Sequence, residues 1–243
     1  MNKTYLNTLR FLLDKLESTQ ESAIDAVSAA CADAVAGGGL LYFFGTGHSH
    51  MICEEPFYRA GGLACVNPIL EPSLMLHQGG AKSSALERVP QLGATVIAES
   101  GVGKGDVLFV VSNSGRNSAV IDAALEGKAR GAVTVAITSV THSSAVGSRH
   151  SSGKRLFEVC DYVLDNGGVL GDASFLAADG SMVGPTSTSV GAAILQAIVC
   201  RVKELSLEEG FEADFFKSSN VDGGDEWNDK LIAKYEDSIP GLN

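Results

Sequence analysis

Apolar residues recur every three or four positions from about Tyr5 to Val35: Leu6, Leu9, Leu13 and Leu16, then Ile24, Val27, Ala30 and Ala34. That spacing is one face of a long helix, with a candidate break at the polar Ser18–Gln20 stretch, and Gly37-Gly38-Gly39 ends it. The period then changes. Leu40-Leu41-Tyr42-Phe43-Phe44 is a continuous apolar run closed by Gly45, as in a parallel strand covered on both faces. Four further short runs, Leu63–Val66, Val107–Val111, Val133–Ile137 and Tyr162–Leu164, have the same character. Between them, His50–Ala60, Ser84–Leu92, Asn117–Arg130 and Lys154–Val159 read as helices. Pro68–Ser83 has no clear period and contains Gly79-Gly80, so it is expected to be an active-site loop. Ser189–Leu205 is apolar nearly all round, which assigns it to a core or a subunit interface.

Strands alternating with helices over short connections predict an α/β chain: a doubly wound, flavodoxin-like parallel sheet of about five strands flanked by helices. No internal repeat or low-complexity linker interrupts it. The expected organisation is a helical arm over residues 1–36 that packs on a partner subunit, an α/β domain over 37–210, and a polar, glycine-punctuated tail over 211–243.

Composition narrows the partners. The 243 residues are 45% hydrophobic and 19% charged, an ordinary globular balance. A net charge of −11 argues against nucleic acid or an anionic membrane as the main partner. An anionic small ligand stays compatible, because backbone N–H groups at a helix N-terminus hold it whatever the global charge. Cys31, Cys53, Cys65, Cys160 and Cys200 form no CxxC pair, so they are expected to be reduced. With neither a signal-like start nor a membrane-length apolar run, the expected compartment is the cytoplasm.

In a doubly wound sheet the ligand sits at the carboxyl ends of the strands. The first strand is followed by Gly45-Thr46-Gly47-His48-Ser49-His50, the third by Ser112-Asn113-Ser114-Gly115-Arg116-Asn117-Ser118, and the fourth by Thr138-Ser139. Hydroxyls, close backbone and helix N-termini at one place suit a phosphate. Each turn taken alone is better explained by helix capping; their convergence at successive strand ends favours a ligand. A dinucleotide fits less well. Gly45-x-Gly47 lacks the third glycine of GxGxxG, and no acidic residue closely follows the second strand. His48 and His50 are two apart and face different ways on a helix, so they make no metal pair.

The succession strand–GTGHSH, strand–SNSGRNSAVIDAALEGKARG, strand–ITS resembles the SIS (sugar isomerase) phosphosugar-binding domain over roughly Tyr5–Leu205. Ser112–Gly131 resembles the matching segment of phosphoheptose isomerases. With FYRAGG at Phe57–Gly62 and SNVDGG at Ser219–Gly224, the whole pattern is similar to uncharacterised bacterial SIS-domain proteins. The resemblance implies a phosphorylated sugar as ligand and a homodimer or homotetramer. It places phosphate on Ser49, Ser112 and Ser114 beside Gly47, with Asn117 and Ser118 where the isomerases have a fourth serine. Glu54-Glu55-Pro56-Phe57-Tyr58-Arg59 resembles their EE-three-residues-R stretch and nominates Glu55 as base for aldose–ketose isomerisation, on a helix about one turn shorter. A surface ion pair is the plain alternative for Glu55.

The family's late-helix histidine is missing from Ser189–Leu205, so no metal and no cofactor is expected. His48 is the best-placed replacement acid, with His77 or His150 as others. Thr138, Ser139 and His77 are candidate substrate contacts, and Glu71 and Glu87-Arg88 are positioned to lean into the site. Ser148–Arg155 is a basic cluster in an acidic chain, suited to a sugar phosphate or a carboxylate, or else a solvated turn. Trp227 is a candidate for stacking on a sugar or packing on a neighbour. Two functions stay open: an isomerase or lyase working by proton abstraction, and a sensor that binds without turnover.

Overall fold

The computed structural model describes residues 4–243. Helix α1 runs unbroken over Tyr5–Ala36, its first turn capped by the Thr4 side chain, which accepts from the Asn7 N–H. The expected break at Ser18–Gln20 does not occur. Ser18 and Thr19 donate their hydroxyls back to the Lys15 carbonyl at 3.0 and 2.8 Å, which keeps them inside the helix.

Five strands follow in one sheet: β1 Leu41–Gly45, β2 Val66–Ile69, β3 Val107–Val111, β4 Val133–Thr138 and β5 Tyr162–Asp165. All pair in parallel, in the order β2-β1-β3-β4-β5. β1 and β3 are buried along their whole length, as their unbroken apolar runs require, and Phe43 stacks on Phe109 with ring centroids 4.5 Å apart. Between strands lie α2 Ser49–Glu54, α3 Gly80–Leu86, α4 Leu92–Glu99, α5 Ser118–Ala129 and α6 Val140–Ser144. A two-stranded antiparallel hairpin, β6 Ala173–Leu176 with β7 Met182–Pro185, leads into the long α7 Ser187–Glu209. α7 buries Val190, Ile194, Ile198 and Val202 and lies along α1. α1 thus packs within its own chain, although Leu6, Phe11 and Leu13 on it are exposed.

Several boundaries differ from the sequence pattern. α2 stops at Glu54 rather than Ala60, because Pro56 lacks the N–H that another turn needs and Tyr58 turns the chain at φ +44°. The second strand begins at Val66. The residues before it pair instead with the tail, through a Leu63–Phe215 bridge and the Ala64 N–H to the Asp214 carbonyl at 2.9 Å. Within Pro68–Ser83 the chain forms two short 3-10 turns and the start of α3. The Lys154–Val159 region is a single 3-10 turn. The tail carries its own helix, α8 Gly224–Tyr235, whose Leu231 packs with Ala64 and Phe216. Asn67 Nδ2 donates to the Ser238 carbonyl at 3.3 Å, which ties the chain end to β2.

Candidate functional site

The strand order changes direction between β1 and β3, and the chain opens there into a cleft. It is lined by His48, Ser49 and Ile52 from the start of α2, Val111 and Asn113 from the end of β3, and Ile137 from β4. Asn166 after β5 and Ser187 and Thr188 at the head of α7 complete the wall. Its open volume is about 10 Å³, room for a single water.

The loop after β1 is held from behind. Gly47, at φ +57°, donates its N–H to the Leu74 carbonyl at 3.0 Å, and Thr46 donates its hydroxyl to Glu87 Oε2 at 2.9 Å. This presents His48, which is exposed, and Ser49 to the cleft. After β3, Gly115 turns at φ +55°, a conformation glycine adopts without strain. Its N–H donates to Ser112 Oγ at 3.1 Å, so Ser112 braces the turn from within while Ser114 is half-buried at its tip. Asn117 starts α5 without capping it through its own side chain; its Oδ1 accepts from Arg149 at 2.9 Å. Ser118 is buried and donates to the Arg149 carbonyl at 3.4 Å.

Two amides bridge the cleft floor, Asn166 Nδ2 donating to Asn113 Oδ1 at 3.0 Å. Asp172, at φ +68°, closes one side. It accepts from the backbone N–H groups of Thr186 and Ser187 at 3.1 and 3.0 Å and from the Ser187 hydroxyl at 2.5 Å. A carboxylate thus sits on the positive end of a 23-residue helix, where helix donors and dipole favour an anion.

The structure brings His48 and Ser49 into the cleft wall, with Ser112, Ser114, Asn117 and Ser118 in the adjoining loop. It keeps others apart. Thr138 and Ser139 are fully buried. The Thr138 hydroxyl donates to the Asn113 carbonyl at 3.3 Å. Ser139 donates to the Gly168 carbonyl at 2.7 Å and caps α6 by accepting from the His142 N–H at 3.0 Å. They support the loops from beneath. His77 is exposed on a 3-10 turn and is not among the cleft residues. Glu71 accepts from the Ser73 N–H at 3.0 Å. Trp227 donates to the Phe215 carbonyl at 2.9 Å, with Lys217 Nζ 4.0 Å above its ring. His150 is occupied with Asp122 at 2.9 Å.

Glu55 lies six residues beyond Ser49, about 9 Å along the helix direction. One oxygen pairs with Arg59 and the other accepts from Gln196 Nε2 on α7 at 2.9 Å. It does not line the cleft. Among the described residues no group of three or more His, Cys, Asp or Glu side chains could hold a metal ion, and no helix is long and apolar enough to cross a membrane.

The sequence pattern named Asn113 only as part of the loop after the third strand, and passed over Asn166, Ser187 and Thr188. The hydroxyl run Thr186-Ser187-Thr188-Ser189 ahead of an apolar helix is a helix-start signature that would have extended α7 into the site. Asn166 carries no comparable signal.

A five-stranded parallel sheet in this order, with its polar cleft at the switch point, defines the class. Residues 4–139 match the family model of the SIS domain, and the chain belongs to that family. It is 45% identical over 232 residues to a UPF0309 protein of Halalkalibacterium halodurans, covering 95% of this chain and 96% of that one. A UPF0309 protein of Listeria innocua is 42% identical over the full length of both chains. Among solved structures, a phosphoheptose isomerase from Neisseria gonorrhoeae superposes with a TM-score of 0.54 at 13% identity, covering 82% of this chain and 95% of that one. A phosphoheptose isomerase from Francisella tularensis gives 0.51 at 17%, with the same coverage. At such identities the two structures speak for the fold.

Proposed function

We propose that the chain binds a phosphorylated sugar in the cleft at the carboxyl ends of β1 and β3. The observation that carries this reading is convergence. The hydroxyl-bearing loops after β1 and β3 and the N-terminus of α7 meet at one point of a SIS-family sheet. Neutral donors with the N-terminus of α5 behind them suit a phosphate, while the first N–H groups of α7 already hold the Asp172 carboxylate. In this reading Gly47 and Ser49 face it from one side. Ser114 faces it from the other, within the loop that Ser112, Asn117 and Ser118 hold in shape. The isomerase names of the two structural neighbours support the ligand class. With open space for one water, the cleft admits a sugar only when His48 and the Ser187–Thr188 turn part. A homodimer or homotetramer in the cytoplasm goes with this reading.

The test is thermal unfolding against a panel of sugars and their phosphates, since a ligand bound only by the native state raises the midpoint. Phosphosugars should raise it and free sugars should not, and the Ser49→Ala/Ser114→Ala double variant should lose the shift while unfolding at the same temperature without ligand. A panel in which free sugars act as strongly as their phosphates overturns the reading.

Isomerisation is the second reading, favoured by the exposed His48 imidazole in the cleft wall, placed to act as acid. Glu55 would be the base that moves the proton between C1 and C2, released from Arg59 and Gln196 when the cleft opens. With the best-binding phosphosugar as substrate, Glu55→Gln should abolish turnover and leave binding intact. Undiminished turnover removes Glu55 from the mechanism and returns the chain to the binding reading.

A further inference from the structure

The loops beside the cleft gather arginines that form no ion pair. Arg59, Arg130, Arg155 and Arg201 each form an ion pair with an acidic side chain. Among the described residues Arg10, Arg88, Arg116 and Arg149 form none, in a chain of net charge −11; Arg10 stands apart on α1, where it donates to Asn7 Oδ1, and leaves Arg88, Arg116 and Arg149.

These three are built into one place. The Arg149 N–H donates to the Arg116 carbonyl at 2.8 Å, and its guanidinium donates to Asn117 Oδ1 at 2.9 Å. The Ala119 N–H donates to the Glu87 carbonyl at 3.0 Å, which sets Arg88 against the first turn of α5. His150, beside Arg149, is pinned to the same helix. Its Nδ1 lies 2.7 Å from Ser152 Oγ and 3.2 Å from the Ser152 N, its Nε2 lies 2.9 Å from Asp122 Oδ1, and both side chains are at most 9% exposed. The basic turn is stapled, not loose.

Crowding like charges costs energy. Desolvation and then the neighbouring Arg116 and Arg88 hold the Arg149 guanidinium below its usual range, with Glu87 acting the other way. Donors are also left over. Four buried side-chain polar atoms among the described residues lack a hydrogen-bond partner, and Arg116 Nε, His142 Nδ1 and Ser143 Oγ are three of them. They share one neighbourhood, since a Cβ on Gly115 would lie 2.9 Å from Ser143 Oγ. Buried polar groups are normally partnered, so a cluster of exceptions beside unanswered cations is the pattern of a site awaiting an anion.

We propose that the ligand carries two anionic groups: a phosphate held by the serine loops, and a carboxylate or second phosphate held by Arg88, Arg116 and Arg149. This rests on the phosphosugar reading. None of the three guanidiniums is in an ion pair, and the nearby carboxylates are already engaged, Glu87 by the Thr46 hydroxyl and Asp122 by His150 and the Gln91 N–H, which leaves the arginines suited to a second anion. Asn113 in the cleft and Arg116 are three residues apart, a chain separation of at most about 10 Å, the scale of a six-carbon backbone with its end groups.

The experiment measures affinity by titration at fixed ionic strength for two classes of probe. Glucose 6-phosphate and fructose 6-phosphate carry one anionic group, and 6-phosphogluconate and fructose 1,6-bisphosphate carry two. The second class should bind at least about tenfold tighter, the worth of a hydrogen-bonded charge pair, and rising salt should erode that advantage. Arg149→Gln, which keeps a donor for Asn117, and Arg88→Gln at an exposed position should each remove most of the difference and weaken one-anion binding by no more than about threefold. Equal affinity of the two classes overturns the inference and leaves the phosphosugar reading standing. So does an equal loss for both classes in the variants, which would assign the arginines to the single phosphate. If no phosphorylated probe binds, both readings fall.

Discussion

The two edges of the sheet differ in how fully they satisfy their own polar groups. At the amino-terminal edge, carboxylates close the strands. Asp106, just before β3, accepts from the Leu40 and Gly103 N–H groups, both at 2.9 Å. Asp161, just before β5, accepts from the N–H and hydroxyl of Thr134 at 3.0 and 2.8 Å and pairs with Lys128 at 2.5 Å. At the carboxyl-terminal edge Glu87, Asp165 and Asp172 also accept from hydroxyl or backbone donors, but beside them stand unpaired arginines and three orphaned buried atoms. One edge satisfies itself and the other does not. The saturated edge supports stability, and the unsaturated edge is where the proposed ligand would be held.

Asp106→Ala should break the contrast from the stable side. It strips the acceptor from two backbone donors, a loss of roughly 2–4 kcal/mol that lowers the unfolding midpoint by several degrees. Phosphosugar affinity at a temperature where the variant is folded should stay unchanged. An unchanged midpoint would show that water replaces the carboxylate there and that the amino edge is not the stabilising one.

Thr188→Val tests the other side. The swap keeps the shape and removes one hydroxyl from the cleft wall at the head of α7. Phosphosugar binding should weaken about tenfold while stability moves by less than about 0.5 kcal/mol. A stability loss with intact binding would mean that the hydroxyl serves the helix start.

The smallest effect concerns the brace of the carboxyl edge. Arg155 donates to the Ser143 and Ser144 carbonyls, both at 3.2 Å, and holds Glu158 through 2.8 and 3.1 Å bonds. Those bonds pull the Glu158 carboxyl down to about 2 from its usual 4.5. A depressed carboxylate contributes stability in full above its unfolded pKa and loses it as pH falls through the folded one. The contribution is therefore complete above about pH 4.5 and gone near pH 2. Both side chains are partly exposed, so it is below about 1 kcal/mol. Unfolding midpoints of wild type and Glu158→Gln should differ slightly at pH 7 and converge as the medium is acidified; a constant gap would sever the link to this carboxyl.

What the sequence made legible follows from how strongly each segment is constrained. β1, β3 and β4 are covered on both faces and the edge strand β5 in part, and the apolar runs Leu40–Phe44, Val107–Val111, Val133–Ile137 and Tyr162–Leu164 mark them to within a residue or so. β6 and β7 escaped notice because a short, mostly exposed hairpin needs no apolar period; Leu176, Met182 and Val183 face outward. At the site, Ser49 and Ser112–Ser118 were legible because they follow strands directly. Asn166 and Asp172 were not, since contacts set by tertiary folding leave no local spacing. The pairing of Glu55 with Gln196, across 141 positions, belongs to the same class. Arg88, Arg116 and Arg149 are noticed singly in the sequence and become a cluster only when α5 draws the loops together.

The segment Asp214–Phe216, bridged to Gly61–Ala64 ahead of the outermost strand β2, acts as a guard rail. An uncovered sheet margin is a template on which further chains stack, and proteins blunt it with prolines or a covering segment. Here Pro68 sits within β2, and the chain end folds over beside it. Clipping the protein after Gly210 would therefore show first as clumping, because the margin it bares is one that other copies can join.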